Sequence, residues 1–449
     1  MNGILAGLSP EVITILFFVL WLAGFFTGYP IGIVLGFVGL LMGSLTIGFH
    51  PTMNVMYLTG YSQMLNYPLL CLPMFIFMGD MLAASGIADD LYESFHVVMG
   101  RVKGGLAIGT VIIGTALAAC LGVVAASVAI LTMLGLEPML KRGYSKSLAC
   151  GTIAASGTLG ILIPPSVMIV VYGSLVQVSV GRLFMGAFMP GFLLSALYIS
   201  YILIRGFIQP SVVGAATQFE VIKVPLLKKF TMAASSLGAP AFLVFAVLGV
   251  IFLGVAPPTE ASAVGALATT LLVIAKRRFT WKLLREVSLD SAKTTGFAWL
   301  FFFMALGSTS IFQRLGCAEV VSSTILAFGG KWAAFFFIHF LLFILGMVMD
   351  FFAILFILAP IFVMVCKKMG FDPIWFAIMV CVNLQMAFMT PPMALAIFIL
   401  KGVAKPELGV TTADIIRGVY PFVCLVMIGL VLCVIFPQIV MWLPSLMMK

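Results

Sequence analysis

Two stretches of this chain set hydroxyls, a carboxamide, glycines and paired prolines into otherwise apolar sequence. The first is Ser156-Gly157-Thr158-Leu159-Gly160-Ile161-Leu162-Ile163-Pro164-Pro165-Ser166. The second lies 227 residues later, at Asn383-Leu384-Gln385-Met386-Ala387-Phe388-Met389-Thr390-Pro391-Pro392-Met393. Both read as apolar helices broken by a double proline. Where a helix breaks away from water, its freed carbonyls and half-helix dipoles can hold a cation or a carboxylate. In the first stretch the break takes in Gly157, Thr158 and Gly160, then Pro164, Pro165 and Ser166, with Ser156 just ahead. In the second it takes in Asn383, Thr390, Pro391 and Pro392. Hydroxyl and carboxamide oxygens are hard, neutral donors suited to sodium, and glycine lets backbone approach an ion closely. A single break of this kind is most simply a proline kink. Two at matched positions point to a site.

Further candidates lie on the stretches that would meet these breaks. Leu121-Gly122-Val123-Val124-Ala125-Ala126-Ser127 aligns with Gly346-Met347-Val348-Met349-Asp350-Phe351-Phe352, which adds Gly122, Ser127 and Asp350. An acid at membrane depth is costly without a partner, so Asp350 reads as functional, with a helix cap as the plainer alternative. Asp80 reads as reaching water near a helix end. Glu260, after Pro257-Pro258-Thr259, reads as complementing a helix N-terminus. The eight cysteines are scattered without a C-x-x-C pair, and His50, His96 and His339 stand apart, so no transition-metal site or disulfide framework is expected. Sodium is the only metal the pattern suggests, and no other cofactor is implied.

These residues need elements that carry them to membrane depth. The chain is 63% hydrophobic and 9% charged, with a mean hydropathy of +1.24. Apolar runs of spanning length recur throughout, which makes it an all-α polytopic membrane protein. The net charge of +9 sits at helix ends, where it would orient the chain rather than bind nucleic acid. The start carries neither a basic n-region nor a small-residue cleavage site, so no cleaved signal peptide is expected.

The 227-residue spacing also matches Lys141-Arg142-Gly143-Tyr144 to Lys368-Met369-Gly370-Phe371, and Pro30 to Pro257. Two repeats follow, at 1–208 and 238–449, joined by a polar linker at 209–237. Their apolar segments are 11–28, 30–49, 61–85, 105–138, 147–175 and 183–206, then 238–256, 258–276, 294–312, 332–366, 374–400 and 413–436. Amphipathic pieces at 86–100 and 279–292 would lie along the interface. The stretches 105–138 and 332–366 are too long for one span and too tightly connected for two, so each is expected to be a re-entrant hairpin. Five crossings and one hairpin per repeat would invert the second repeat relative to the first. With Lys276, Arg277, Arg278, Lys282 and Arg285 in the cytoplasm, most of the 24 lysines and arginines fall inside. Both termini then come out extracytoplasmic.

The motifs now carry a resemblance. Gly151-Thr152-Ile153-Ala154-Ala155-Ser156-Gly157-Thr158-Leu159-Gly160 running into Ile163-Pro164-Pro165-Ser166 resembles the large membrane subunit of TRAP (tripartite ATP-independent periplasmic) transporters. So do Gly122-Val123-Val124, Met139-Leu140-Lys141-Arg142-Gly143-Tyr144, Pro258-Thr259-Glu260-Ala261, Asn383-Leu384-Gln385 and Thr390-Pro391-Pro392. The pattern is most similar to the branch labelled for mannitol or chloroaromatic compounds. The resemblance covers the whole chain, in order. It implies a sodium-coupled importer of small organic acids in a bacterial or archaeal inner membrane, moving as an elevator of the ion-transporter superfamily. It also implies a small four-helix membrane subunit and a soluble periplasmic substrate-binding protein as partners. By position, the family's sodium sites fall on the two hairpin tips and the two breaks. Two departures stand out: Ala394 occupies a position where the family commonly has glycine, and the first tip lacks the Gly-Ser-Ser of other branches.

Other functions remain for comparison. A self-sufficient sodium- or proton-coupled anion symporter or exchanger would keep the same fold without the partners. An enzyme would need an intramembrane His or Cys cluster, a Ser–Lys dyad or paired carboxylates, and the sequence offers none. A channel would show conductance far above transporter turnover. A carboxylate substrate is expected to meet half-helix N-termini and the hydroxyls of Ser127, Ser156, Thr158 and Ser166.

Overall fold

The structure is a computed structural model that describes residues 4, 5, 7–88, 90–92, 94, 104–214, 237–327, 329–349, 351–392 and 394–447. Among these residues every regular element is helical, and one isolated bridge joins Tyr144 to Val213. Apolar sequence without water to bond its backbone must close its hydrogen bonds within each segment, which favours helices throughout. Six described stretches are long and apolar enough to cross a membrane: Tyr67–Ala84, Val124–Lys141, Val180–Ile208, Pro258–Ala275, Trp281–Arg314 and Thr412–Ile435.

The sequence matches between the halves turn out to be helix punctuation. Pro30 and Pro257 stand at the N-caps of Ile31–Thr46 and Pro258–Ala275. Gly143 and Gly370 turn the chain with φ of +79° and +65°, a conformation glycine adopts without strain. Two residues later Ser145 and Asp372 cap the next helices. The Ser145 hydroxyl accepts from the Leu148 N–H at 3.3 Å, and Asp372 accepts from Ile374 and Trp375 at 2.8 and 3.0 Å.

Helices of the two halves pack across one another. Ile31–Thr46 lies against Trp281–Arg314, and Pro258–Ala275 lies against Cys71–Ala84. A Cβ on Gly32, Gly36 or Gly39 would collide with Phe301, Met304 or Ser308, so small residues set the closeness of the first crossing. Phe301 and Phe302 are buried against Phe352 and Phe356 of Phe351–Met369, which makes the phenylalanine run a partner-helix face.

Both long apolar stretches double back. Gly105–Leu121 ends at Gly122, and Val124–Leu131 begins two residues later. The Tyr144 hydroxyl accepts from the Leu106 N–H at 3.2 Å, tying the end of this excursion to its start. In the second half Lys331–Gly346 is followed by Phe351–Met369. Its ends meet likewise: Lys331 donates to the Gly370 carbonyl at 3.1 Å and lies 4.3 Å from the centre of the Phe371 ring.

Several expectations about boundaries change. Residues 50–60, expected as a loop, belong to the helix Phe49–Met64, where Pro51 sits in a first turn that loses no hydrogen bond to it. The expected helix 61–85 is therefore split, with a short 3-10 turn at Tyr67–Leu70 before Cys71–Ala84. The interfacial piece 279–292 and the helix 294–312 are one continuous 34-residue helix, Trp281–Arg314. A further helix, Gln438–Leu446, follows the expected end and packs on Val180–Ile208. Of the expected linker, residues 215–236 lie outside the described residues, as do 89, 93 and 95–100 of the expected interfacial piece 86–100.

Candidate functional site

Glycine permits the first hairpin tip to sit on the first break. Lys146–Thr158 continues as a 3-10 turn, Leu159–Ile161, and helix resumes at Val167–Val176. The intervening Pro164–Pro165 bond is cis, as is Pro391–Pro392 in the second break. Gly122 has φ of +63°, and a Cβ there would lie 2.6 Å from the Pro165 carbonyl oxygen. A Cβ on Gly157 would strike Val128, and one on Gly160 would lie 3.4 Å from the Ser127 hydroxyl. Gly122, Ser127, Ser156, Gly157, Gly160, Pro165 and Ser166 therefore belong to one packed region.

The hydroxyls of this region are committed as donors. Ser127 donates to Val123 at 3.1 Å, Ser156 to Thr152 at 2.6 Å, Thr158 to Ala155 at 2.8 Å and Ser166 to Ile161 at 2.5 Å. In the second break Thr390 donates to Met386 at 2.8 Å. A hydroxyl whose proton is held by a backbone carbonyl presents lone pairs to its surroundings, so these groups suit a cation better than a carboxylate.

The second break begins after Pro373–Ala387 and ends at Leu395–Val403. Asn383 donates to the His339 carbonyl at 2.8 Å, which fastens it to the first arm of the second hairpin. Gln385, two residues on and so facing another way, donates to Thr158 at 3.3 Å and to the Tyr198 hydroxyl at 3.2 Å. Both side chains are buried, and among the described residues Asn383 Oδ1 and Gln385 Oε1 have no hydrogen-bond partner. Orphaned buried carboxamide oxygens are hard donors of the kind sodium takes, and each lies beside a helix break. Pro391 is half-buried and Pro392 exposed on the far side of this turn. Asp350 lies outside the described residues.

Gln385, Tyr198 and His339 were not among the candidates read from sequence. The signal for Gln385 was present: it stands 227 residues after Thr158, the residue it bonds. Asp80 is half-buried and accepts from Ser291 at 2.7 Å, linking Cys71–Ala84 to Trp281–Arg314. Glu260 is exposed in the first turn of its helix, as read. Among the described residues no three His, Cys, Asp or Glu side chains gather as a metal cluster.

Between the two tips lies a cavity of about 120 Å³. Gly122 and Val123 of the first tip, Phe351 and Phe352 of the second, and Phe388 beside the second break form part of its wall. Thr294 and Phe297 of Trp281–Arg314 complete the wall from a third element of the second half. Four helices begin on this wall: Val124–Leu131, Val167–Val176, Phe351–Met369 and Leu395–Val403. Their first-turn N–H groups lack helical partners, and their dipoles place positive charge there. A separate, larger cleft of about 770 Å³ opens between Ser62, Gln63 and Asn66 on one side and Gln177, Ser179 and Thr259 on the other.

At the surface, Glu137 bonds Lys141 at 2.7 Å and Lys405 at 2.6 Å, joining the first hairpin to the loop after the second break. The Glu137 carboxylate holds the Lys405 ammonium above its ordinary range.

Comparison with known proteins agrees with this architecture. The family model described as "Tripartite ATP-independent periplasmic transporter, DctM component" matches residues 15–439. The C4-dicarboxylate TRAP transporter large permease protein DctM of Vibrio cholerae is 29% identical, covering 96% of this chain and 98% of that one. The isethionate TRAP transporter permease protein DctMQ of Oleidesulfovibrio alaskensis is 30% identical, over 92% of this chain and 64% of its own length. The sialic acid TRAP transporter large permease protein SiaM of Vibrio cholerae is 28% identical, over 95% and 97%. Among solved structures, the Alcanivorax borkumensis YdaH transporter matches with a TM-score of 0.64 at 13% identity, covering 95% of this chain and 99% of that one. At that identity the likeness concerns the fold.

Proposed function

Because the chain belongs to the DctM family of TRAP large permeases, we propose that it imports a small organic acid together with sodium. It is a multi-pass membrane permease and not an enzyme. Large permeases of this family work with a small membrane subunit and a periplasmic binding protein. We extend both to this chain, with a four-helix small subunit completing the scaffold. The membrane is a bacterial or archaeal inner membrane, with the basic cluster around Lys276–Arg278 inside and both termini outside.

The observation that carries the reading is the convergence of two hairpin tips and two helix breaks on one cavity, with orphaned carboxamide oxygens beside the breaks. Four helix N-termini on the cavity wall suit a carboxylate, and the buried oxygens suit sodium. We read residues 1–208 and 238–449 as inverted repeats. The exchange of packing partners between Ile31–Thr46 and Pro258–Ala275 supports this, as does the contact of Thr158 with its counterpart Gln385. The moving body of an elevator would comprise the hairpins, the broken helices, Val180–Ile208 and Thr412–Ile435. The remaining helices would form the fixed part.

The test is thermal stability of the purified chain in sodium, potassium and choline chloride at equal ionic strength. A ligand bound only by the folded state stabilises it by RT ln(1 + [L]/Kd), so a millimolar sodium site raises the melting temperature at about 100 mM. We expect a sodium-selective rise that Asn383→Ala abolishes. Ser156→Ala, Asn383→Ala and Asp350→Asn should each lower sodium-driven uptake while inserting normally. Equal stability in all three salts, with normal uptake in all three variants, would rule out the sodium assignment.

A further inference from the structure

The cavity at the hairpin tips carries a statement about substrate chemistry, which rests on the reading that this is where the transported acid sits. Its wall is apolar on every side that is described. Val123 comes from the first tip, Ile161 and Met168 from the first break, Phe351 from the second tip, Phe388 from the second break and Phe297 from the long helix Trp281–Arg314. Thr294 supplies the one polar side chain in the described lining, and no lysine, arginine or histidine belongs to it. Phe351 stands 3.9 Å from Phe352 and 5.7 Å from Phe388, ring centre to ring centre, so aromatic faces and edges are grouped at one end. Beyond Phe351 and Phe388 a second hollow of about 60 Å³ continues toward Gly346 and Ala387.

Such a wall discriminates by what it leaves unpaired. A hydroxyl-rich or doubly charged ligand loses its water here and finds no side-chain donors to replace it, whereas an apolar body gains dispersion and burial. Apolar protein cavities of about 150 Å³ admit benzene, so a hollow of about 120 Å³ with a smaller annex matches a ring or a short branched chain. The helix N-termini on the same wall suit one carboxylate rather than two at opposite ends. We propose that this permease selects a monocarboxylate with an apolar body, aromatic or branched aliphatic, and that Phe297, Phe351 and Phe388 determine the selection. The substrates in the names of its relatives, a C4-dicarboxylate and sialic acid, are far more polar.

The experiment uses the full chain in lipid nanodiscs in sodium chloride. Binding of phenylacetate, 4-methylpentanoate, succinate and N-acetylneuraminate is measured by calorimetry and by shift in melting temperature. Phenylacetate and 4-methylpentanoate should bind at least ten-fold more tightly than succinate or N-acetylneuraminate. Phe297→Ser should weaken the two apolar acids at least ten-fold. Phe297 is 57% exposed, so its replacement leaves the fold in place. Thr294→Val, which removes the polar side chain, should tighten them. Succinate binding as tightly as phenylacetate, or absence of binding by both apolar acids, overturns the proposal. Sodium-driven uptake in proteoliposomes that also hold the small membrane subunit, with the periplasmic binding protein added, separates this from the broader reading. Uptake of succinate alone would retain the importer and reject the apolar substrate. Binding of phenylacetate without any sodium-driven uptake would retain the apolar site and reject the importer.

Discussion

The Gln385 carboxamide donates to the Thr158 hydroxyl at 3.3 Å, and the two residues are 227 positions apart. That is the spacing that aligns the two broken helices, so each residue meets its own counterpart. Under a two-fold relation a position touches its equivalent only beside the axis. On the proposed inverted-repeat reading, the pair lies beside the axis that relates the halves.

Replacing Gln385 with leucine removes the donor that both Thr158 and Tyr198 accept from. Hydrogen bonds within membrane helices are worth about 0.6–2 kcal/mol, so the loss should be about 1–2 kcal/mol. A cycle with Tyr198→Phe, read by thermal unfolding in detergent, should show coupling of about 0.5–1 kcal/mol. Strict additivity would mean that the Tyr198 contact contributes nothing.

Gly122 and Gly254 both have positive φ, but only one is enclosed. A Cβ on Gly122 meets the Pro165 carbonyl at 2.6 Å, while nothing lies within 4 Å of one on Gly254. Gly254→Ala should cost the left-handed strain alone, about 1–2 kcal/mol. Gly122→Ala should cost more and also diminish sodium-dependent stabilisation. Equal losses in the two variants would deny the tip-to-break contact its role.

Ala394 adopts φ of +25°, a conformation that strains a residue with a Cβ. This is the position where the family commonly carries glycine. Ala394→Gly should therefore raise stability by about 1 kcal/mol, relief of strain exceeding the added freedom of the unfolded chain. A lower melting temperature in the variant would contradict the strain.

Gly151 and Gly418 let Lys146–Thr158 and Thr412–Ile435 touch backbone to backbone. A Cβ on Gly418 would overlap the Ser147 carbonyl, and one on Gly151 would overlap the Gly418 carbonyl. Backbone cannot swing aside as a side chain can. Gly418→Val should destabilise by about 3 kcal/mol, in contrast to Gly402→Val, where nothing lies within 4 Å of the added atom.

Glu137 raises the ionisation range of Lys405, so their contribution is present below the ordinary lysine range and fades only as pH rises through the raised one. Across neutral pH it is constant, and salt is the variable that reaches it. Lys405→Ala should lower the melting temperature slightly at low salt and not at about 1 M salt, where screening is complete within a few ångströms.

Much of the helical framework was legible because residues whose backbone behaviour is distinctive mark its turns and helix starts. Gly143 and Gly370, Ser145 and Asp372, and Pro30 and Pro257 each do the same structural task in both halves. The continuous helix Trp281–Arg314 was missed because Lys282, Arg285, Glu286, Asp290 and Lys293 interrupt its apolar pattern, although polarity does not interrupt backbone hydrogen bonding. Phe49–Met64 was missed because His50, Thr52, Asn54, Thr59, Ser62 and Gln63 break up its apolar pattern, although its first-turn proline is a helix starter. Around the breaks, the glycines and hydroxyls stood in the sequence, but the direction of each hydroxyl did not. Whether a serine proton points to a ligand or to its own helix depends on the carbonyl four or five residues back. Tyr198, contributed by a remote helix, left no local sign.

The two hairpins are tied at their bases, by Tyr144 to Leu106 and by Lys331 to Gly370, while their tips border a hollow. Each is thus a lever with a pinned fulcrum. Gly105–Leu121 has 17 residues and so measures about 25 Å. A tilt of about 5° at the base would carry its tip about 2 Å, roughly half the width of an aromatic ring face, with the basal hydrogen bond hardly altered. Tip movement on that scale could admit or seal a guest without unfolding a turn of helix.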